Sequence, residues 1–235
     1  MEKYVKKHLS ILNIPAIEWG NKSDSVFIYV HGLESSKEDK NVTFFAYQAV
    51  SKGYQVLSFD LPGHGDRIQE GIRCKVQDAV RDLKTILDYA KNNWQRVSLY
   101  AVSIGAYFSL LAYRDETFDV SLFQTPLVDM ERMIKKIMKK SNISLERLEK
   151  EKEIRTYFET LYWDYYQYII AHQIDKWDSK TYILYGENDG LVDKDTIEAF
   201  SKKFNVEIEI SKGSEHFFNT DSDYEQLKNW ILEHI

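Results

Sequence analysis

The stretch LYAVSIGAYFSLLAY, Leu99 to Tyr113, runs from an apolar, β-prone segment into a lone Ser103, then Gly105, then a helix-like apolar run. A serine at a strand end commonly makes a local hydrogen bond within a turn. The pattern x-Ser-x-Gly at a strand-to-helix turn is also how a nucleophile is held on a sharp elbow. The surrounding sequence decides between the two.

To the N-terminal side, Tyr4–Ile11 and Pro15–Trp19 read as edge strands. SVFIYVHG (Ser25–Gly32) is a continuous apolar run closed by His-Gly, the signature of a strand buried on both faces. A helical stretch through Phe44, Phe45 and Tyr47 follows, and Gly53 separates it from the strand-like QVLSFDLPGHGD. VQDAVRDLKTILDYA then places Val76, Val80, Leu83, Ile86 and Leu87 on one helical face before the strand RVSLYAV. Beyond the Gly105–Tyr113 helix, DVSLFQ, TYILYG and VEIEIS supply further strands, with helical patterns at Lys194–Phe204 and Asp223–His234. Strands alternating with helices imply a mostly parallel sheet covered on both faces, an α/β fold.

One interval breaks the rhythm. Thr125 to Lys180 is far longer than the dozen or so residues a crossover requires. Its first part carries Met130, Met133, Ile134, Ile137 and Met138 at helical spacing, and its later part, TYFETLYWDYYQYII, is rich in aromatics. The expectation is a helical insertion lying over the sheet. Most of these side chains serve core packing, and a minority are expected to line a pocket, since Met and aromatic groups make adaptable apolar walls.

Bulk properties narrow the function classes. A net charge of −6 disfavours nucleic acid, whose phosphates call for a basic face. The run Lys135, Lys136, Lys139 and Lys140 reads as the wet side of a helix. The single cysteine, Cys74, cannot form an internal disulfide and reads as an inert thiol in a reducing compartment. The opening MEKYVKKHLSIL lacks a signal-peptide pattern, and no apolar run is long enough to span a bilayer, so the expected location is cytoplasmic, without stable membrane insertion. No HExxH, cysteine cluster or Asp-rich calcium loop is present, and PGHG lacks both the P-loop lysine and the dinucleotide glycine spacing; no metal or cofactor is expected. An exposed edge strand or the apolar insertion offers a surface for a homodimer.

Ligands in open α/β sheets bind beyond the carboxyl ends of the strands. Ser103, Asp189 and His216 all fall at such ends, in the order serine, acid, histidine. A serine hydroxyl becomes a useful nucleophile when an imidazole accepts its proton, and a carboxylate fixes the imidazole tautomer. Preorganised donors must then stabilise the oxyanion. The backbone N–H groups of Leu33 and Ile104 are placed to do so. Asp193 and Glu187 compete with Asp189 for the carboxylate role. Among the histidines, His31 reads as shaping its turn and His64 as bracing a loop near the site entrance, while Asp60 reads as structural.

HGLESSKE (His31–Glu38), FDLPGHGD (Phe59–Asp66), AVSIGA (Ala101–Ala106), YGENDGLVD (Tyr185–Asp193) and GSEHFF (Gly213–Phe218) together resemble the α/β-hydrolase fold, in particular serine hydrolases of the small esterase and lysophospholipase-like type. The five segments occur in that family's order and span nearly the whole chain. The resemblance implies a single α/β-hydrolase domain over 1–235, with a helical cap insertion at approximately 126–178. It implies Ser103 as nucleophile, Asp189 as acid, His216 as base, and the Leu33 and Ile104 amides as oxyanion donors. The elbow departs from the family pattern at Ala101, where glycine is usual; Gly105 is retained. The implied activity is a carboxylesterase for small to medium acyl or aryl esters, acting through an acyl-serine. Thioester or small-peptide hydrolysis would use the same groups, and a non-catalytic small-molecule receptor is the rival outside enzymes.

Overall fold

The computed structural model describes residues 5–71 and 73–235; Tyr4, at the start of the first expected strand, lies outside the described residues. The chain opens with β1 (Lys6–Ile11), β2 (Ile14–Trp19), β3 (Ser25–Val30), α1 (Lys40–Ser51) and β4 (Gln55–Phe59). A 3-10 turn at Gly65–Glu70 precedes α2 (Val76–Asn93), β5 (Arg96–Val102), α3 (Ile104–Ala112) and β6 (Ser121–Gln124). After β6 come α4 (Met130–Lys140), α5 (Leu145–Glu151), β7 (Glu153–Arg155), β8 (Thr160–Tyr162) and α6 (Trp163–Ala171). The chain closes with β9 (Thr181–Gly186), α7 (Lys194–Phe204), β10 (Glu207–Ser211) and α8 (Asp221–His234).

Eight strands form one sheet in the order β1-β2-β4-β3-β5-β6-β9-β10. It is mostly parallel: β2 runs antiparallel to both of its neighbours, β1 and β4, and all other pairs are parallel. Of the two strands expected at the edge, β1 occupies it and β2 is one place in.

The apolar runs of the central strands follow from their two-sided burial, since successive side chains point to opposite faces. In β3, Val26, Ile28 and Val30 join a core shared with α2 and α3, whereas Phe27 and Tyr29 join a second core shared with α1 and α8. β5 divides in the same way, Leu99 and Ala101 to one side and Tyr100 to the other. The predicted face of α2 is buried: Val76, Val80, Leu83, Ile86 and Leu87 all pack inward. Capping fixes both helices of the second core. Asp39 accepts the Val42 N–H ahead of α1, and Thr220 with Asp223 forms a reciprocal capping box ahead of α8.

The segment between β6 and β9 is not wholly helical, as the sequence reading expected. It contains three helices and a two-stranded antiparallel hairpin, β7–β8. Ile154 and Leu161 are opposite one another and buried, while Glu153 and Arg155 are exposed, a period of two rather than 3.6. Thr156 closes the hairpin by accepting the Phe158 and Glu159 N–H groups and donating to the Glu159 carbonyl. The lysines of α4 are also not uniformly solvated. Lys136 is half-buried and donates to Asp193 and the Leu191 carbonyl, while Lys135, Lys139 and Lys140 are exposed.

Candidate active site

The parallel register sets the carboxyl ends of β3, β5, β6 and β9 side by side, and the loops leaving them meet at one edge of the sheet. Ser103 occupies the turn from β5 to α3 with φ 51° and ψ −119°. A non-glycine residue in this region is strained, and such strain persists where surrounding structure holds it. Gly105 shows why the turn can be so tight. A Cβ there would lie 2.5 Å from the His31 carbonyl oxygen and 2.7 Å from that of Val30. Ala101 is fully buried, its methyl absorbed by the core that Val30 and Phe123 share.

Three residues well separated in sequence meet at this turn. Ser103 Oγ lies 2.9 Å from His216 Nε2, and His216 Nδ1 lies 2.7 Å from Asp189 Oδ2. An ionised carboxylate only accepts, so Nδ1 carries the proton and Nε2 presents its lone pair to the serine hydroxyl. The second oxygen of Asp189 accepts the N–H groups of Leu191 and Val192, both at 2.9 Å, and its side chain is fully buried. The competing acids are engaged elsewhere: Asp193 pairs with Lys136 and Arg132, and Glu187 accepts the Gly213 N–H. Gly186 permits the close approach of the two loops, since a Cβ there would lie 2.5 Å from the Glu215 carbonyl oxygen.

The loop carrying His216 is anchored from behind by buried Asp223. That carboxylate accepts from Ser214 Oγ at 2.6 Å and from the Asn219 and Thr220 N–H groups. Burial alone would raise its pKa, but these hydrogen bonds more than reverse it and hold it below the usual range.

Leu33 and Ile104 border the same pocket as Ser103 and His216, and neither backbone N–H donates a hydrogen bond among the described residues. Ile104 is the first residue of α3, so its N–H also carries the partial positive charge of a helix N-terminus. The loop bearing Leu33 is pinned at both ends. His31 Nδ1 lies 2.7 Å from the Gly32 carbonyl, and its Nε2 accepts the Leu61 N–H at 3.1 Å. Burial lowers the His31 pKa to about 4, which keeps the ring neutral and its Nε2 available as an acceptor.

Farther along the loop, Lys37 Nζ donates to Asp60 at 2.8 Å and to Asp66 at 2.7 Å. Asp60 also accepts the Lys37 and Asp66 N–H groups. These partners of Asp60 are all structural, as the sequence reading expected. The pairing of Lys37 with residues 23 and 29 positions away has no local sequence signal, and sequence reading missed it. His64 packs edge-on against His31 at 5.2 Å and holds the Pro62 carbonyl, bracing the rim as expected.

Above this floor lies a pocket of about 890 Å³. Met130, Met133, Ile134 and Ile137 of α4 line it, with Leu161 and Tyr165 from the rest of the insertion. Cys74 also borders it; burial pushes its thiol up to about 12, so it stays protonated and weakly nucleophilic at neutral pH. Among the described residues, the one group of side chains close enough to share a metal ion is Glu209, Glu233 and His234, none of which borders the pocket. No helix among the described residues is long and apolar enough to cross a membrane.

Residues 21–160, more than half the chain, match the Hydrolase_4 family, described as serine aminopeptidase S33. The chain belongs to this family. Its fold is the α/β-hydrolase fold, and similar solved structures agree. A putative hydrolase from Agrobacterium vitis S4 superposes with a TM-score of 0.78 at 15% identity, over 100% of both chains. Mouse alpha/beta hydrolase domain-containing protein 10 gives 0.76 at 16% identity, over 97% of each. Est1E from Butyrivibrio proteoclasticus, solved with ferulic acid bound, gives 0.75 at 18% identity, over 97% of this chain and 98% of its own. No curated protein matches the chain in sequence. Family membership makes the protein a hydrolase.

Proposed function

We propose that this protein is a serine-dependent carboxylesterase acting through an acyl-serine intermediate. The observation that carries the reading is the unbroken relay Ser103–His216–Asp189, at 2.9 and 2.7 Å, whose Ser103 and His216 border the pocket. His216 Nε2 takes the proton from Ser103 as Oγ attacks the ester carbonyl and forms a C–O bond. The carbonyl oxygen becomes an oxyanion stabilised by the Leu33 and Ile104 amides. The intermediate collapses, the bond to the alcohol oxygen breaks, and His216 delivers its proton there. Water, deprotonated by the same nitrogen, then attacks the acyl carbonyl and releases the acid, returning the proton to Ser103. Asp189 stabilises the imidazolium in both halves.

In this reading the insertion over 126–178 is a cap whose apolar wall receives the acyl group. Small to medium acyl or aryl esters fit a pocket of about 890 Å³ lined by methionine and aromatic side chains. The aromatic acid bound by the structurally similar Est1E supports the aryl preference.

The test is labelling with a fluorophosphonate probe, followed by turnover of an ester panel with amino-acid amides alongside. Labelling of the wild type that disappears in Ser103→Ala, with ester turnover exceeding amide turnover, is the expected result. A folded wild type that neither labels nor turns over any ester overturns it, and saturable binding without turnover would identify a receptor instead.

A further inference from the structure

Lys136 departs from the other lysines of α4. Lys135, Lys139 and Lys140 are exposed, whereas Lys136 is half-buried and borders the pocket beside Met133 and Ile137 of the same helix. Its ammonium reaches away from the helix, donating to the Leu191 carbonyl at 3.2 Å and to Asp193 Oδ1 at 2.9 Å. Both acceptors lie in the loop between β9 and α7, the loop that carries Asp189.

That loop is held unevenly. Ahead of Asp189 it is bonded to the chain leading to His216: the Glu187 N–H donates to the Ser211 carbonyl at 3.0 Å, and the Asn188 N–H to the Ser214 carbonyl at 2.8 Å. Beyond it, Val192 is buried and its carbonyl accepts the Tyr185 hydroxyl at 2.7 Å. The two residues between, Gly190 and Leu191, lack such anchors. A Cβ on Gly190 would meet nothing within 4 Å, and the Leu191 side chain points largely into solvent.

Leu191 nevertheless has a demanding task. Its N–H supplies one of the two bonds, both 2.9 Å, that Asp189 Oδ1 accepts, while Asp189 Oδ2 faces His216 Nδ1. Among the described residues, the Leu191 carbonyl accepts from Lys136 and from no other group. The same residue therefore gives its N–H to the acid and its carbonyl to the insertion. Asp193, which takes Arg132 at 3.0 Å as well as Lys136, ties the far end of the span to the same helix.

We infer that Lys136 is a positioning residue: it braces Leu191 from the insertion, so that the Leu191 N–H stays on Asp189 and the carboxylate stays in line with His216. Lys136 touches no reacting atom and acts through Leu191 and Asp189. Without the brace, Asp189 Oδ1 exchanges a fixed N–H for water, and the carboxylate gains freedom to turn away from Nδ1. A catalytic group held only by an unsupported neighbour loses its productive geometry. The inference rests on the esterase reading for its rate measurements, and on geometry alone for its spectroscopic one.

The experiment compares the wild type with Lys136→Met, which keeps the stem and removes the donor, and Lys136→Arg, which keeps a donor within reach of both oxygens. Two readouts are taken: kcat and KM for a short acetyl ester, and the downfield 1H NMR resonance of the His216 Nδ1 proton. Lys136→Met is expected to lower kcat about tenfold with KM little changed, a fraction of the roughly 10⁴-fold lost when the acid no longer sets the imidazole tautomer. The resonance broadens in the same variant, and Lys136→Arg restores most of both. Lys136→Gln, too short to span both acceptors, gives the same loss and serves where Lys136→Met does not fold. A raised KM with kcat unchanged makes Lys136 only part of the substrate wall and overturns the inference. So does a resonance as sharp in Lys136→Met as in the wild type, or a wild type without the resonance, which has no held bond to support. Absence of turnover and of probe labelling in the wild type defeats the esterase reading alone, and the resonance still decides the brace.

Discussion

The loops beneath the pocket and the helix above it are secured by opposite means. Below, Lys37 and Asp60 form a charge pair with side chains only 4% and 0% exposed, and Asp223 and His31 each close buried hydrogen bonds that fix a site loop. Above, α4 reaches the rest of the protein through apolar side chains, through half-buried Lys136, which donates to Asp193 and the Leu191 carbonyl, and through Arg132, whose bonds to Asp193 and Asp195 lie in solvent. Buried polar bonds are costly to break singly, because the surviving partner is left unsatisfied, whereas exposed ion pairs contribute little. The floor is consequently rigid in its chemistry, and the wall is free to vary in shape.

Four substitutions and one pH series bear on that contrast. Ser103→Ala should abolish ester turnover by about a million-fold while leaving the fold intact; steady-state rates beside circular dichroism check both halves. Asp60→Ala leaves the buried Lys37 ammonium with Asp66 as its remaining carboxylate and takes the acceptor from the Lys37 and Asp66 N–H groups, and should cost about 3 kcal/mol of stability, read from urea unfolding. A cost close to zero would mean that the floor is no more firmly held than the wall.

The pH series concerns His31. Its folded pKa, about 4, lies below its ordinary 6.5, so the unfolded chain binds the extra proton first. This group's contribution is therefore complete above about pH 6.5 and is lost as pH falls towards 4, by on the order of 3 kcal/mol. Urea midpoints from pH 7 to 4 should show the loss, and His31→Gln should flatten it.

On the wall, Met133→Ala should lower kcat/KM for bulky aryl esters about tenfold relative to acetyl esters, with little change in melting temperature. The smallest effect belongs to Asp195→Ala, which removes an exposed partner of Arg132 and should leave the melting temperature where it was. A clear drop there would erase the distinction between the two regions.

The same contrast governs what the sequence discloses. The strands and helices were legible because burial imposes a period, as in the two-faced apolar run of β3 or the single face of α2. Ser103, Asp189 and His216 were legible because a parallel sheet gathers its strand ends, so position after a strand carries spatial information. Lys37 was not, since its partners are set by where two loops happen to cross. The β7–β8 hairpin was obscured because its strands are three residues each, too short for an alternation to stand out.

The insertion leaves and rejoins the sheet between two strands that are already neighbours. The Ser121 N–H donates to the Lys180 carbonyl and the Thr125 N–H to the Leu184 carbonyl, both at 2.8 Å, so β6 and β9 clasp each other whatever lies between them. Such a closed junction makes the segment an exchangeable part. Doubling its length would add only about 0.6 kcal/mol of loop-closure entropy, and the register that brings Asp189 to His216 would not shift. Everything between β6 and β9 can therefore be replaced at this junction, Lys136 apart, while the hydrogen-bonded chain Ser103–His216–Asp189 beneath is left unchanged.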